Sequence, residues 1–337
     1  MGHQERTVGG DFALHIEEIE FVSEGCRLRG LLKRPISGSG PWPTVIHGPG
    51  WLETVGDPLS VSFHEGLVSA GYAVLYFDLR GFGKSEGEPG WIRPLDQQVD
   101  IRNAITYAST RGDLDIERLG LFGFGGTGGG NAMYAAARDR RVKAICAMTV
   151  VADGVQWLKE QRREHEWVAY VAELERDRRS RVLGEPGALV DPTEQIMVAT
   201  PERKAKGMPV RGHEFYLATV DYLADFRPVD IVGRLGKCAL LLTCVEDDVV
   251  TPEHHARELF AAAASPKRLL VQRGVSHYDA YSVNYDVLMA HFVDWYDHHL
   301  QTGVRTVAAG RSVPADVVDV PRQRAVAPVA SADELIG

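Results

Sequence analysis

A chain of 337 residues with 45% hydrophobic and 25% charged residues can bury a substantial core and sits within the ordinary range of globular enzymes. The formal charge of −9, from 46 acids against 37 bases, excludes nucleic acid as a main partner, because no basic surplus exists to displace counterions from a phosphate backbone. No uninterrupted apolar run reaches the ~18 residues a membrane span requires, and MGHQERTVGG lacks a signal peptide's apolar core, so a cytoplasmic protein with no membrane partner is expected.

His15 to Glu20 and Cys26 to Lys33 read as a leading antiparallel hairpin. Thr44 to His47 is a short apolar run ending in Gly48-Pro49-Gly50-Trp51, and a helical stretch follows near Phe63 to Ala70. Tyr72 to Asp78 is apolar without alternation, which suits a strand covered on both faces, and a helix from about Leu95 to Thr110 returns the chain. Arg118 to Phe122 leads into a glycine cluster, Asn131 to Arg138 reads as a helix, and Val142 to Ala152 as a further buried strand. This alternation predicts a doubly wound, mostly parallel α/β sheet.

The character changes between Asp153 and Lys237. Trp157 to Arg181 is dense in Arg and Glu with aromatics at helical intervals, and Phe215 to Leu223 reads as another helix. The alternation resumes with a strand at Ala239 to Val245, a helix around Glu253 to Ala264, a strand at Arg268 to Gln272, and a closing helix from Asn284 to Leu300. The expected organisation is therefore a discontinuous core, 1–152 with 238–303, a helical cap insertion at 153–237, and a tail at 304–337. The stretch from Thr306 to Gly337 has no helical periodicity and reads as a free tail or an arm laid on a neighbouring subunit, which leaves room for a homodimer. Cys26, Cys146, Cys238 and Cys244 lie in or beside apolar stretches without metal or redox spacing and read as buried thiols.

Acyl transfer needs a nucleophile on a sharp turn after a strand, a histidine to take its proton, an acid to orient that histidine, and backbone donors for the oxyanion. Glu246-Asp247-Asp248 ends a buried strand at the edge where open α/β sheets present functional groups, so Asp247 and Asp248 are candidate acids, and either could instead cap the helix that Thr251-Pro252-Glu253 begins. His277 follows the last core strand in Gly274-Val275-Ser276-His277 and is the candidate base. His254 and His255 sit on a helix with no third ligand in view, so they are expected to be solvated, and neither a metal nor any other cofactor is expected.

The nucleophile's place falls in Phe122-Gly123-Phe124-Gly125-Gly126-Thr127-Gly128-Gly129-Gly130, where strand, turn and helix meet. A G-x-S-x-G elbow beginning at Gly123 puts Gly125 at the serine position, and counting back from the triple glycine puts Gly126 there. Neither register recovers a hydroxyl, and Thr127 lies two residues past the apex. The oxyanion donors are then Gly126 N–H and an N–H of the Gly48-to-Trp51 loop; Pro49 has none, which leaves Gly50 or Trp51. The same glycines superficially fit G-x-G-x-x-G, but the turn comes after several strands and lacks the acidic ribose ligand about twenty residues on, so a dinucleotide is not expected. Trp51, Trp91, Trp157 and Trp167 are candidates for the pocket lining, although such residues are more often core packing than substrate contacts. Arg162, Arg163, Arg178 and Arg179 read as a solvated helix face, with a carboxylate-bearing substrate as the sharper alternative.

With HGPGW, FDLRGFGKSEG, the glycine-rich turn before NAMYAAARDRRVKA, DDVVTP and GVSHYDAY in this order, residues 15 to 300 resemble the dienelactone-hydrolase-like and acylaminopeptidase-like branch of the α/β-hydrolases. That resemblance implies an α/β-hydrolase fold, a small-molecule acyl substrate, meaning an ester, lactone, thioester or amide, and, from the acid four residues before Pro252, Asp248 rather than Asp247 as the acid. The glycine at the elbow departs from it. Either a serine hydrolase has lost its nucleophile, or His277 and Asp248 act as a general base directly on substrate or water; a binding protein that keeps the pocket is the alternative.

Overall fold

The computed structural model describes residues 3–8, 12–197, 200–201, 214–300 and 316–323, with side chains from Leu14 onward. Strands β1 (His3–Val8), β2 (Phe12–Ser23) and β3 (Cys26–Pro35) form an antiparallel leader. Glu24 and Gly25 join β2 to β3, both at positive φ, as a two-residue hairpin turn requires. Then β4 (Trp42–Gly48), α1 (Pro58–Ser69), β5 (Ala73–Phe77), α2 (Pro94–Ser109), β6 (Leu114–Gly123), α3 (Gly125–Ala136) and β7 (Val142–Met148) alternate. Beyond the 153–237 segment come β10 (Ala239–Val245), α7 (Glu253–Ala262), β11 (Lys267–Arg273), α8 (Tyr285–Leu300) and β12 (Asp316–Pro321).

Among the described residues, ten strands form one sheet in the order β1-β2-β3-β5-β4-β6-β7-β10-β11-β12, parallel from β5 to β12. Strands β5 and β10 are buried at every residue, which is why their sequences carry no alternation. One face is covered by α1 and α8, where Phe63, Leu67, Phe292 and Trp295 are buried. The other is covered by α2, α3 and α7, with Ile101, Ile105, Met133 and Leu259 in its core. Helices on both faces of a mostly parallel sheet make this the α/β-hydrolase type of doubly wound fold.

Several expectations need correction. Helix α3 starts at Gly125, not Asn131, so the glycine cluster lies inside its first turns. The strand expected over Val142 to Ala152 ends at Met148, because Thr149 takes φ 49° and turns the chain out of the sheet. Phe215 to Leu223 is not one helix: Phe215–Tyr216 (β9) pairs with Leu189–Val190 (β8), and only Thr219–Ala224 (α6) is helical. The segment 153–237 therefore holds a small two-stranded antiparallel sheet beside α4 (Gly154–Glu160) and α5 (Glu164–Val182). Finally, the sheet does not end at β11. Within the expected tail, β12 adds a parallel edge strand, fixed by Arg268 to Asp316 at 2.9 Å and Arg273 to Asp319 at 2.9 Å; residues 304–315 and 324–337 lie outside the described set. Cys26 is only partly buried, unlike the other three cysteines, which are free and buried. No described helix is long and apolar enough to cross a membrane.

Candidate active site

The parallel strands deliver their C-terminal ends to one edge, where the loops after β4, β6, β7, β10 and β11 enclose a cavity of about 550 Å³. Asp248 and His277 meet there. Asp248 Oδ1 accepts the N–H groups of Val250 (2.7 Å) and Thr251 (3.0 Å), which fixes the carboxylate, and Oδ2 lies 2.7 Å from His277 Nδ1. An ionised carboxylate only accepts, so the imidazole proton sits on Nδ1 and the Nε2 lone pair is left for other work. Both residues are buried, and His277 lines the cavity. Asp247 is exposed at φ 56°; the twist of backbone there turns the following residue inward.

The bend after β6 falls at Gly125, whose φ is +67°, between an extended Phe124 and the first turn of α3. Its neighbours are glycine for steric reasons: a Cβ at Gly123 would come 2.4 Å from Gly129 Cα, one at Gly128 2.4 Å from Gly48 O, one at Gly129 2.3 Å from Val150 Cγ2, and one at Gly130 2.3 Å from Phe226 Cζ. These close approaches let α3 sit down on β4, β7 and the cap. Gly125 differs. A Cβ there meets only Gly50 Cα at 3.8 Å and Trp51 N at 3.9 Å, both ordinary contacts. Gly126 would meet Val151 Cγ2 at 3.1 Å, and Thr127 is buried in the cavity wall.

Of the two loop donors expected from sequence, one is spoken for. Gly50 N–H donates to Glu53 Oε2 at 2.8 Å, so Gly50 is removed from the oxyanion set. Trp51 N faces the space beside Gly125, and Gly126 N–H lies in the first turn of α3, where backbone donors have no intrahelical partner. Asp78 braces this loop by accepting from Val55 N at 2.7 Å and Lys84 N at 2.8 Å, which gives FDLRGFGKSEG a structural purpose.

Among the described residues, three of the four non-glycine residues at positive φ, Leu52, Thr149 and Asp247, sit in the loops around the cavity; the fourth, Glu24, is in the distant hairpin. For a β-branched residue such as Thr149 this is a costly conformation, on the order of 1–3 kcal/mol. A hydrogen bond of 2.5 Å between its hydroxyl and Tyr281 holds it. Tyr281 also meets the His277 ring edge-on with centroids 5.7 Å apart and packs at a tilt against Phe124 at 4.7 Å, so one side chain ties the histidine loop to the bend. Burial pushes its phenol pKa far up, and it stays neutral. Sequence reasoning missed Tyr281, Glu53 and Phe124; only the tyrosine's place four residues past His277 could have drawn notice.

Trp51 and Trp157 line the cavity in edge-to-face contact at 5.6 Å, with Trp157 Nε1 donating to Val250 O at 2.9 Å. Trp91 and Trp167 do not line it. Trp91 stacks on Tyr216 with Arg93 above it, locking the cap strand to the start of α2, and Trp167 packs against Tyr170 within the cap. The arginines are also elsewhere: Arg162 donates to the carbonyls of Leu158, Gln195 and Ile196, and Arg178 pairs with Glu175 and Asp221. Among the described residues, no lysine or arginine lines the cavity.

His255 is fully buried rather than solvated, and Glu160 supplies the third group that sequence did not show. Ligand atoms of Glu160, His254 and His255 lie within 4.8 Å of one another. The Ala152 N–H donates to His255 Nδ1 at 3.3 Å, which puts the ring proton on Nε2, facing Glu160 Oε2 at 3.5 Å; the ring meets the carboxylate as a proton carrier. Burial, and then neighbouring His254, depress the His255 pKa to about 4.

A family model described as X-Pro dipeptidyl-peptidase (S15 family) matches residues 24–279. The chain is 29% identical over 248 residues to "Uncharacterized 31.7 kDa protein in traX-finO intergenic region" of Escherichia coli, covering 71% of this chain and 85% of that protein. It is 34% identical over 137 residues to Thiohydrolase apmlB of Arthrinium phaeospermum, covering 39% of this chain and 42% of that one. The crystal structure of the α/β hydrolase GrgF from Penicillium sp. sh18 matches with a TM-score of 0.72 at 22% identity, covering 85% of this chain and 99% of that one; this likeness shows the fold.

Proposed function

The chain belongs to the X-Pro dipeptidyl-peptidase (S15) family within the α/β-hydrolase superfamily, and from that premise we propose that it acts on a small, uncharged acyl compound by general-base catalysis without a covalent serine intermediate. His277 Nε2 takes a proton from water or from the substrate itself, Asp248 holds the imidazole and stabilises its cation, and the N–H groups of Trp51 and Gly126 receive the developing oxyanion. The observation that carries this reading is the intact 2.7 Å His277–Asp248 pair beside a bend that carries no nucleophile. A relative named thiohydrolase supports the acyl class. The lining supports an uncharged substrate: Trp51, Leu52, Phe124, Trp157, Leu223 and Phe226 offer apolar surface, while Glu53 and Asp57 would repel a carboxylate.

A second reading has a specific observation behind it. Gly125 is the one glycine of the turn with room for a side chain aimed at an oxyanion donor, as expected where a serine has been lost. The test for both is one panel of p-nitrophenyl esters, acyl thioesters and lactones, run on the protein, on His277→Ala and on Gly125→Ser, with a fluorophosphonate label on the last. Turnover by the unaltered chain that vanishes in His277→Ala supports direct general-base chemistry. Turnover and labelling confined to Gly125→Ser support a disabled serine hydrolase. Tight binding with no turnover in any form would leave a binding protein.

A further inference from the structure

Beneath Gly50, four buried side chains form a row that the proposed reaction does not use: Glu53, His47 of β4, His64 of α1 and Lys33 of β3. Lys33 Nζ lies 3.4 Å from His64 Nδ1, His64 Nε2 lies 2.6 Å from His47 Nδ1, and His47 Nε2 lies 3.1 Å from Glu53 Oε2. An ammonium has donors only, so His64 Nδ1 accepts. Burial, then His47 and Lys33, hold the His64 pKa well below its usual value, so the ring is neutral and its single proton sits on Nε2. His47 Nδ1 therefore accepts, and its proton goes to Glu53. One assignment satisfies every link, and all donors point toward the carboxylate.

Glu53 in turn grips the peptide that matters. Its side chain accepts Gly50 N–H at 2.8 Å, and its own N–H donates to Gly50 O at 3.3 Å. That carbonyl belongs to the same peptide as Trp51 N–H. The hydroxyls of Ser60 and Tyr76 donate to Asp57 O (3.2 Å) and Thr54 O (2.7 Å) and lie close to the Glu53 carboxylate. The arrangement contains a conflict: the carboxylate that positions the oxyanion donor also opposes negative charge arriving beside it.

We propose that Glu53 is a positioning residue for the Trp51 oxyanion donor and that Lys33, His64 and His47 form a proton relay that discharges Glu53 when negative charge develops in the cavity. One proton moves at each link: from Lys33 Nζ to His64 Nδ1, from His64 Nε2 to His47 Nδ1, and from His47 Nε2 to Glu53 Oε2. Lys33 ends as a neutral amine, Glu53 as a neutral acid and both rings as Nδ1–H tautomers, with no atom gained or lost. Tyr76 of β5 packs against both imidazoles, and Tyr281 beyond β11 feels the Glu53 carboxylate; burial, first of all, keeps both tyrosines protonated.

The inference rests on Trp51 N–H serving the reacting oxygen, and two arms separate its failure from that reading's. In the unaltered protein labelled with ¹⁵N-histidine, NMR at pH 7.5 is expected to show His47 and His64 both neutral and protonated at Nε2. A cationic ring or an Nδ1–H tautomer at either position overturns the relay. In a Gly125→Ser background, Lys33→Met and Glu53→Gln are each expected to slow fluorophosphonate labelling tenfold or more and to move its pH profile; an unchanged rate and profile overturn the proposal. Absence of labelling in Gly125→Ser itself counts against the oxyanion reading, and the tautomers then decide the relay alone.

Discussion

The two rims of the cavity are built on different principles. On the rim formed by the loops after β10 and β11, side chains do the holding: Asp248 is pinned by two amides, His277 by Asp248, and the ring face by Tyr281. On the rim formed by β6 and α3, the holding is done by the lack of side chains. Gly123, Gly128, Gly129 and Gly130 bring α3 so close to β4, β7 and the cap that no Cβ would fit, yet Gly125 at the apex stands free. A buried His–Asp pair thus faces a bend that carries no side chain, and a glycine's meaning depends on what its absent Cβ would have met.

The largest effect should come from the furnished rim. Replacing His277 with Ala is expected to lower kcat/KM by about 10³-fold or more on whatever ester, thioester or lactone the protein turns over. An unaffected rate constant would remove the rim from the chemistry altogether. The glycines supply the next contrast. Gly128→Ser drives a side chain against Gly48 O and Pro49 O, backbone that cannot swing aside, and should cost about 3 kcal/mol or prevent folding. Gly125→Ser bears only the left-handed backbone, about 1–2 kcal/mol. Urea unfolding of both variants checks the difference, and equal losses would erase the distinction between the two kinds of glycine.

A pH scan tests the junction between α7 and the loop after β7. His255 titrates near 4 when folded because burial disfavours its cation, against about 6.5 in an unfolded chain, so the unfolded form binds more protons between those values. Stability from this ring is complete above about pH 6.5 and is lost as pH falls toward 4, with an upper bound of about 3 kcal/mol. Melting of the protein and of His255→Gln should converge as the solution is acidified through that window. The smallest effect is expected for Tyr281→Phe, about 1 kcal/mol from the lost bond to Thr149, read as a lower Tm.

Much of this was legible in the sequence because the relevant signals are local. Continuous apolar runs marked β5 and β10, and the order of motifs placed Asp248 and His277 at one edge. What stayed hidden depends on contacts between segments distant in sequence. Nothing near Gly50 announces that Glu53 would claim its N–H, since GPGWLE reads equally well as a free donor loop. His255 looked solvated because its partners, Ala152 and Glu160, are about a hundred residues away. Trp91 and Trp167 misled for the same reason: aromatic residues announce burial without saying against what. Strand β12 reads Asp-Val-Val-Asp-Val-Pro, and six such residues set among Ala, Pro and Arg gave no sign that the sheet had a vacant edge to fill.

That final strand has a consequence for the order of assembly. Arg322 donates to Gly274 O at 3.3 Å, Gln323 N–H to Asn284 Oδ1 at 2.9 Å, and Arg273 ties Glu246 to Asp319, so β12 buttresses the very segment that delivers His277. Domains form from the leading end as the ribosome works. The turn, its helix and most of the sheet can settle early, but the histidine's support is translated dozens of residues after the histidine itself. The nascent pocket would therefore be a shaped hollow before the loop that carries His277 was braced, and that bracing waits on the last seam to close.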